Sequence, residues 1–435
     1  MAELVDAVGL GPTRIILWEF ESPPGHQNPN LVLKPGMGGT IKNFCRDCNS
    51  PSRYHIQTWL AELANLLLPP LSLPRKFEAF FDTLLEKIFT FLKITELKDN
   101  FSPSDIPLRT TCFIREAKKR GVKFQAMLGP FGYTNYFRAE IGGKIFRFEG
   151  LPIADFASEY GAQFVDCKKR TKQHLKKGGF PITEGKDFWF WQKRKAIEFG
   201  ANILGFPLVV KPRRGSISRH VTTDIRDIEK LKYAIHKAII YSPVFIIEKF
   251  IPDCFPYRAT VVDFDFVACV KQVPANVIGD GRSTIQELIR KKNNDRQRGK
   301  PNQKEFTLYK IVIDEVTKSL LIQKGYNFDT VPPKGEIIWL QKDPFLKLGG
   351  DLIEVTPRVH PDNIQLFKDI AKFFDIRLVG IDFLTQDISR SWKGQLSAVL
   401  ELNNLPSIEM HHFPSFGPPQ NVARAVVDLF FKHYL

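Results

Sequence analysis

Two short apolar runs near the C-terminal end constrain this chain most: RLVGIDFLTQ (377–386) and QLSAVLELN (395–403). Both have the length and composition of buried strands, yet both carry acids. Strand side chains alternate between faces, so Glu401 and Asn403 share one. An antiparallel hairpin turning near Ser391-Trp392 places Asp382 opposite Glu401. Two carboxylates and an amide oxygen then converge within a side chain's reach. Acids left unpaired in an apolar strand are costly to bury. Two resolutions are open: pairing with Lys or Arg at the strand edge, or a divalent cation, for which hard oxygen ligands select Mg²⁺ or Mn²⁺.

A second stretch, LVVKPRRGSISRHVTTDI (208–225), leaves a buried strand, crowds cations and small residues into one turn, and returns to a strand. Lys211 ends the first strand, where an ammonium reaches out as a point charge. Successive backbone N–H groups in such a turn form an anion nest, with Gly215, Ser216 and Ser218 small enough for close approach. The turn is not a GxxxxGK[ST] phosphate loop, and a basic surface hairpin is the bland alternative. Joined to the acidic cluster downstream, it suggests a metal–nucleotide site between two lobes.

The rest of the chain supplies the frame. Residues 1–50 are rich in Gly, Pro and Asn, with little periodicity. Ile56 to Leu97 reads as helical, with apolar residues recurring at three and four in FEAFFDTLLEKIFTFLKI. TTCFIREAKKRGV predicts a helix ending at Gly121, and the strands that follow turn at Gly142-Gly143. From 166 onward helices and strands alternate. STIQELIRKKN opens on overlapping S-x-x-Q and T-x-x-E patterns, either of which makes a capping box.

Composition narrows the class. The chain has 435 residues, 43% hydrophobic and 25% charged, with a net charge of +15. That balance fits a nucleic-acid partner, a cleft for a polyanionic small molecule, or merely a basic surface, and the spread of Lys and Arg favours the last. The six cysteines (Cys45, Cys48, Cys112, Cys167, Cys254, Cys269) are too few for a disulfide framework, which points to a reducing compartment. Cys45 and Cys48 form a single CxxC with His55 nearby, half a zinc site at most. No secretory leader or membrane-spanning run is apparent; the expected setting is cytoplasmic.

The motifs CKKRTKQHLKKGGFPI, GFPLVVKPRRGSISRHVT, VFIIEKFIPDCFPYRATVV, VPANVIGDGRSTIQELIRKKN, FDTVPPKGE, VHPDN, VGIDFLTQDIS and ELNNLPSIEMHHFPSFGPPQNVA run in order from about 166 to 432. Over that span the chain resembles the ATP-grasp ligases, most closely the ATP-grasp part of cyanophycin synthetases, with bifunctional glutathione synthetases a second neighbour. The resemblance implies an α/β (α+β) ATP-grasp fold with two α/β lobes clamping ATP. The small lobe would run from about 170 to 248 and the large lobe from about 249 to 435. A small α/β domain (101–165) and an N-terminal, partly helical extension (1–100) would precede them.

Roles follow from the same resemblance. Lys168 and Lys211 match the two ATP-binding lysines. Gly215, Ser216 and Ser218 lie in the phosphate-covering loop. Glu248, Lys249, Phe250 and Ile251 match the hinge whose backbone reads adenine. Arg258 faces the phosphate and substrate region. Asp382, Glu401 and Asn403 match the Mg²⁺ ligands, the three residues already drawn together by the hairpin.

This chain also departs from the pattern. Ser218 and His220 stand where the loop usually has glycines, Ser407 replaces another glycine, and Gln272 replaces an arginine, leaving Lys271 or Arg258 to compensate. His411 and His412 are substrate-binding or structural. The implied activity is an ATP-dependent carboxylate–amine ligase using Mg²⁺ or Mn²⁺ and forming an acylphosphate. The alternatives are an ATP-binding protein without turnover and, driven by charge alone, a nucleic-acid binder. The partners expected are ATP and a small carboxylate and amine, with no nucleic acid and no membrane; a homo-oligomer is compatible with all of this.

Overall fold

The computed structural model describes Cys45 and residues 52–67, 75–130, 132–152, 165, 168–214, 219–300, 303 and 305–434. The chain divides into two compact units. The first takes in Met1–Leu97, Leu128–Thr134 and Ala162–Pro252; the second takes in Lys98–Met127, Asn135–Gly161 and Asp253–Leu435. Among the described residues, no helix is long and apolar enough to cross a membrane.

In chain order, helices α1 (Ser52–Leu67) and α2 (Arg75–Phe91) precede strand β1 (Glu96–Lys98) and helix α3 (Leu108–Lys118). Strands β2 (Lys123–Gly129), β3 (Gly132–Ile141) and β4 (Lys144–Glu149) follow, in a four-stranded sheet ordered β1-β2-β3-β4. Ile141 pairs with Lys144 across Gly142-Gly143, whose φ angles are +55° and +76°. Positive φ at both central residues suits the two-residue hairpin that a Gly-Gly pair predicts.

In the first unit, helix α4 (Lys168–Lys177) leads into β5 (Gly185–Trp189), helix α5 (Lys193–Glu198), β6 (Leu208–Pro212), β7 (Thr222–Ile225), helix α6 (Ile228–Tyr241) and β8 (Val244–Lys249). The sheet is antiparallel in the order β5-β8-β6-β7. Asp227 caps α6 by accepting a hydrogen bond from the Lys230 amide at 2.7 Å. Leu231, Ala234 and Ile235 of α6 pack with Leu208, Val210, Phe245 and Ile247 into a closed core. Because strand side chains alternate, Lys211, Ile246 and Glu248 turn to the opposite face. Gly185 sits against Glu248: a Cβ there would lie 2.6 Å from Glu248 Cγ and 2.6 Å from the Ile247 carbonyl oxygen. Gly185→Ala is therefore expected to lower stability by about 1–3 kcal/mol, read from the urea midpoint; an unchanged midpoint would contradict this packing.

The second unit is built on a five-stranded antiparallel sheet. Its strands are β9 (Phe255–Val262), β10 (Phe266–Val273), β15 (Asp351–Glu354), β16 (Leu378–Thr385) and β17 (Ser397–Asn403), in the order β15-β10-β9-β16-β17. Between β10 and β15 lies a subsidiary core around β11 (Asn276–Ile278), α7 (Ile285–Asn293), α8 (Glu315–Gln323) and β14 (Ile337–Trp339), with the two-residue strands β12 (Arg298–Gly299) and β13 (Leu308–Tyr309) beside it. Of the two overlapping capping patterns, α7 uses T-x-x-E. The Thr284 hydroxyl accepts from the Glu287 amide at 3.3 Å, and the Glu287 carboxylate accepts from the Thr284 amide at 2.8 Å. Helices α9 (Pro361–Phe373), α10 (Glu409–His412) and α11 (Val422–Tyr434) complete the unit.

Candidate active site

In the second unit, β9, β16 and β17 run side by side and bring one residue each into a single cross-strand row. Asp382 pairs with Arg258 on one side and with Glu401 on the other. The hairpin register expected from the sequence is therefore present, with an irregularity between Asp382 and Phe383 that leaves Leu400 as the extra residue of β17. The Arg258 guanidinium grips the Asp382 carboxylate with two hydrogen bonds, from Nε at 2.5 Å and from Nη2 at 2.9 Å. The Asn403 amide donates to Asp382 Oδ2 at 3.3 Å. Gly380 makes room beside this row, since a Cβ there would stand 3.3 Å from Arg258 Nη1.

The two resolutions left open for these acids can now be weighed. A cationic partner exists, and it comes from the neighbouring strand β9. One guanidinium stands beside two carboxylates in this row. Burial, with Glu401 beside it, pushes the Asp382 carboxyl up to about 6 against the pull of Arg258. The donor set that remains, carboxylate oxygens and the Asn403 amide oxygen, is the hard-oxygen set that suits Mg²⁺ or Mn²⁺. By donor chemistry, Asp382, Glu401 and Asn403 fit such an ion.

Lys271 does not join this row. It pairs with Tyr257 and Ile353, one residue out of step with Arg258, and so projects from the other face of the sheet. There its ammonium lies 3.2 Å from the centroid of the Phe255 ring. Of the two residues expected to compensate for the missing arginine, Lys271 or Arg258, Lys271 thus lies on the face away from the Asp382 row. Gln272, the residue at that arginine's position, has the parity of Val270, which pairs with Arg258. His411 and His412 are both bound into the structure. His411 is fully buried with Nε2 2.8 Å from the Thr260 hydroxyl, and His412 Nε2 accepts from the Ala423 amide at 3.0 Å.

In the first unit, the face of the sheet turned away from α6 carries a cationic cluster. Glu248, buried in the middle of it, accepts from Lys172 at 2.9 Å and from Lys211 at 3.0 Å. Thr183 takes a hydrogen bond from Lys172 at 2.6 Å and donates to Glu248 at 3.2 Å. Burial alone would raise the Glu248 carboxyl, but the ammonium groups of Lys211 and Lys172 more than offset it and hold it down at about 2. Two ammonium groups share one carboxylate, so the cluster keeps a positive charge and suits an anion.

Lys168 occupies the first position of α4, one helical turn before Lys172. The Lys249 side chain points the other way, its ammonium donating to the carbonyls of Leu204, Gly205 and Phe206 at 3.1, 2.9 and 2.9 Å. The amides of Lys249 and Phe250 donate to the Glu184 and Pro207 carbonyls, at 2.9 and 3.0 Å. Those two donors of the 248–251 segment are therefore engaged within the unit. Gly215, Ser216 and Ser218 lie outside the described residues. The two arginines ahead of them, Arg213 and Arg214, both form ion pairs with the buried Glu62 of α1.

No protein-family model matches the chain. Among curated proteins, it is 34% identical over 346 residues to a cyanophycin synthetase from Trichormus variabilis, covering 78% of this chain and 37% of that protein. Among solved structures, it superposes on a bifunctional glutathione synthetase from Pasteurella multocida with a TM-score of 0.59 at 23% identity, over 76% of this chain and 44% of the other. The chain belongs to the ATP-grasp superfamily. A glutathione biosynthesis bifunctional protein from Clostridium perfringens is a more distant relative, 28% identical over 75% of this chain and 41% of its own length. The chain thus spans well under half the length of these relatives. The ATP-grasp fold expected from the motifs stands.

Three groups around the two clusters escaped the sequence reading. Lys172 could have been found from its i,i+4 spacing to Lys168 on a helix rich in cations. Glu62 gave no local signal, because it lies 151 residues from the arginine it binds. Glu409, within IEMHH, carries no local signal of a role. It is a half-buried carboxyl raised by desolvation, with Arg109 and Arg258 acting against the rise.

Proposed function

We propose that this chain is an ATP-dependent carboxylate–amine ligase acting on an amino acid or short peptide. The observation that carries the reading is the row Arg258–Asp382–Glu401, a half-buried guanidinium with two carboxylates and the Asn403 amide beside it. ATP bound with a divalent ion requires hard oxygen ligands for the ion and fixed cations for the phosphates. Within the second unit Asp382, Glu401 and Asn403 are ligands of the former kind; within the first unit Lys211, Lys168 and Lys172 are cations of the latter kind. A bound Mg²⁺ would contribute charge neutralisation of the phosphates.

The residues of the chain do the rest by placement. Glu248 holds the Lys211 ammonium in one position, so little reorganisation is needed when phosphate arrives. Arg258, locked by both Asp382 oxygens, presents its remaining N–H edge to a transferring phosphoryl group. The substrate carboxylate oxygen attacks the γ-phosphorus and ADP leaves. The amine then attacks the acyl carbon, the phosphate leaves, and the amine gives up a proton as the amide forms. No protein nucleophile is required. On this reading, 166–435 is the nucleotide-using part, 101–165 a small α/β domain ahead of it, and 1–100 an extension. An ATP consumer of this kind belongs in the cytoplasm.

Gln272 favours a second reading, an ATP-binding protein without turnover, because a neutral amide on the Arg258 face stands where a cation would serve phosphoryl transfer. ADP release assayed against a panel of amino acids and short peptides separates the two. Release that requires both a carboxylate and an amine supports the ligase; tight ATP binding with no release across the panel favours the second reading.

A further inference from the structure

We propose that Cys45, His55 and His220 form a transition-metal site, with Zn²⁺ as the ion it suits best. The three ligand atoms lie within 4.8 Å of one another and come from three separate parts of the first unit. Cys45 precedes α1, His55 sits in its first turn, and His220 lies on the connection from β6 to β7. Cys45 Sγ and His220 Nε2 are 3.4 Å apart. Zinc bonds of about 2.3 Å to sulfur and about 2.0–2.1 Å to nitrogen, at a tetrahedral angle, put such a pair about 3.5 Å apart. The observed spacing is already that of a tetrahedral edge.

The surroundings are those of a ligand shell. His220 Nδ1 lies 2.8 Å from the Lys237 carbonyl, which fixes the ring with its proton on Nδ1 and turns the Nε2 lone pair toward Cys45. His55 stands edge-on to His220 with ring centroids 5.1 Å apart, and Tyr241 closes the other side of both rings. His55 and His220 are buried. His220 also holds a left-handed backbone conformation at φ +53°, where glycine would be relaxed and a histidine costs free energy. One thiolate with two imidazoles is a soft, nitrogen-rich set that favours Zn²⁺ over Mg²⁺ or Ca²⁺. An ion here ties the segment before α1 to the far end of the β6–β7 connection.

The test uses the full chain, purified after growth with zinc and dialysed against a weak chelator. About one zinc per chain is expected by elemental analysis, and Co²⁺ reconstitution should give the visible absorption of a tetrahedral site together with a thiolate-to-cobalt charge-transfer band. Cys45→Ser should remove that band. His220→Gly relaxes the positive φ, so it should keep the wild-type circular dichroism while losing the metal. Purified chain that takes up no stoichiometric zinc or cobalt would overturn the proposal, leaving a Cys45–His220 hydrogen bond only. A cobalt spectrum unchanged in Cys45→Ser, or full zinc retained by His220→Gly, would overturn it equally.

Discussion

Glu401→Gln is expected to lower Mg²⁺-dependent ATP turnover about 10²- to 10³-fold while leaving the metal-free protein as stable as the wild type or more so. The two effects have one cause. Burial and the Glu401 charge hold the Asp382 carboxyl at about 6, above the ordinary aspartate value of 3.8. Between those two pH values the folded state binds more protons than the unfolded state. Asp382 therefore contributes a loss of stability as pH rises through that window, and the loss persists above it. Replacing Glu401 with a neutral amide removes part of the repulsion and part of that loss. A change that firms the fold yet abolishes turnover can only be removing something the reaction needs. Thermal melts from pH 4 to 8, with turnover measured on the same preparations, check this. Turnover that survives the change, or fails only because the protein unfolds, would remove Glu401 from the site.

Glu248→Gln should act in the opposite sense. It leaves Lys172 and Lys211 partly buried and facing each other with no carboxylate between them, at an expected cost of about 3–5 kcal/mol. The wild-type carboxyl is depressed from 4.5 to about 2. Its stabilisation is thus present above pH 4.5 and lost as pH falls toward 2, and the variant should lack that dependence. If the two ammonium groups receive phosphate, ATP should raise the melting temperature of the variant by more than it raises that of the wild type. The anion then supplies the charge that Glu248 no longer does. Equal ATP shifts in both proteins would place the phosphates elsewhere.

How far the sequence could be read depended on the range of each interaction. Local chemistry was legible: the Thr284–Glu287 box, the Gly142-Gly143 turn and the end of α3 before Gly121 all rest on residues within a few positions of one another. The Asp382–Glu401 pairing was legible because a hairpin fixes its own register once its turn is placed. Arg258 was singled out by resemblance, but nothing in the chain revealed that β9 would lie beside β16 and set its guanidinium on Asp382. The placement of Lys271 was hidden for a related reason. Being next to Gln272 in sequence puts it on the opposite face of a strand, and neighbours in sequence are not neighbours at a sheet surface. The Glu62 pairing with Arg213 and Arg214, and the approach of His220 to the Cys45–His55 pair, join residues far apart in the chain, with no periodicity to announce them.

The central claim is that ATP is spent on activating a carboxylate, and product analysis with hydroxylamine as the trapping amine tests it most directly. With Mg²⁺, ATP and the carboxylate that supports ADP release, the ligase should form the hydroxamate together with ADP and phosphate in equal amounts, and Glu401→Gln should form neither. AMP and pyrophosphate in place of ADP and phosphate, or ADP release with no hydroxamate and no dependence on the carboxylate, would contradict the account.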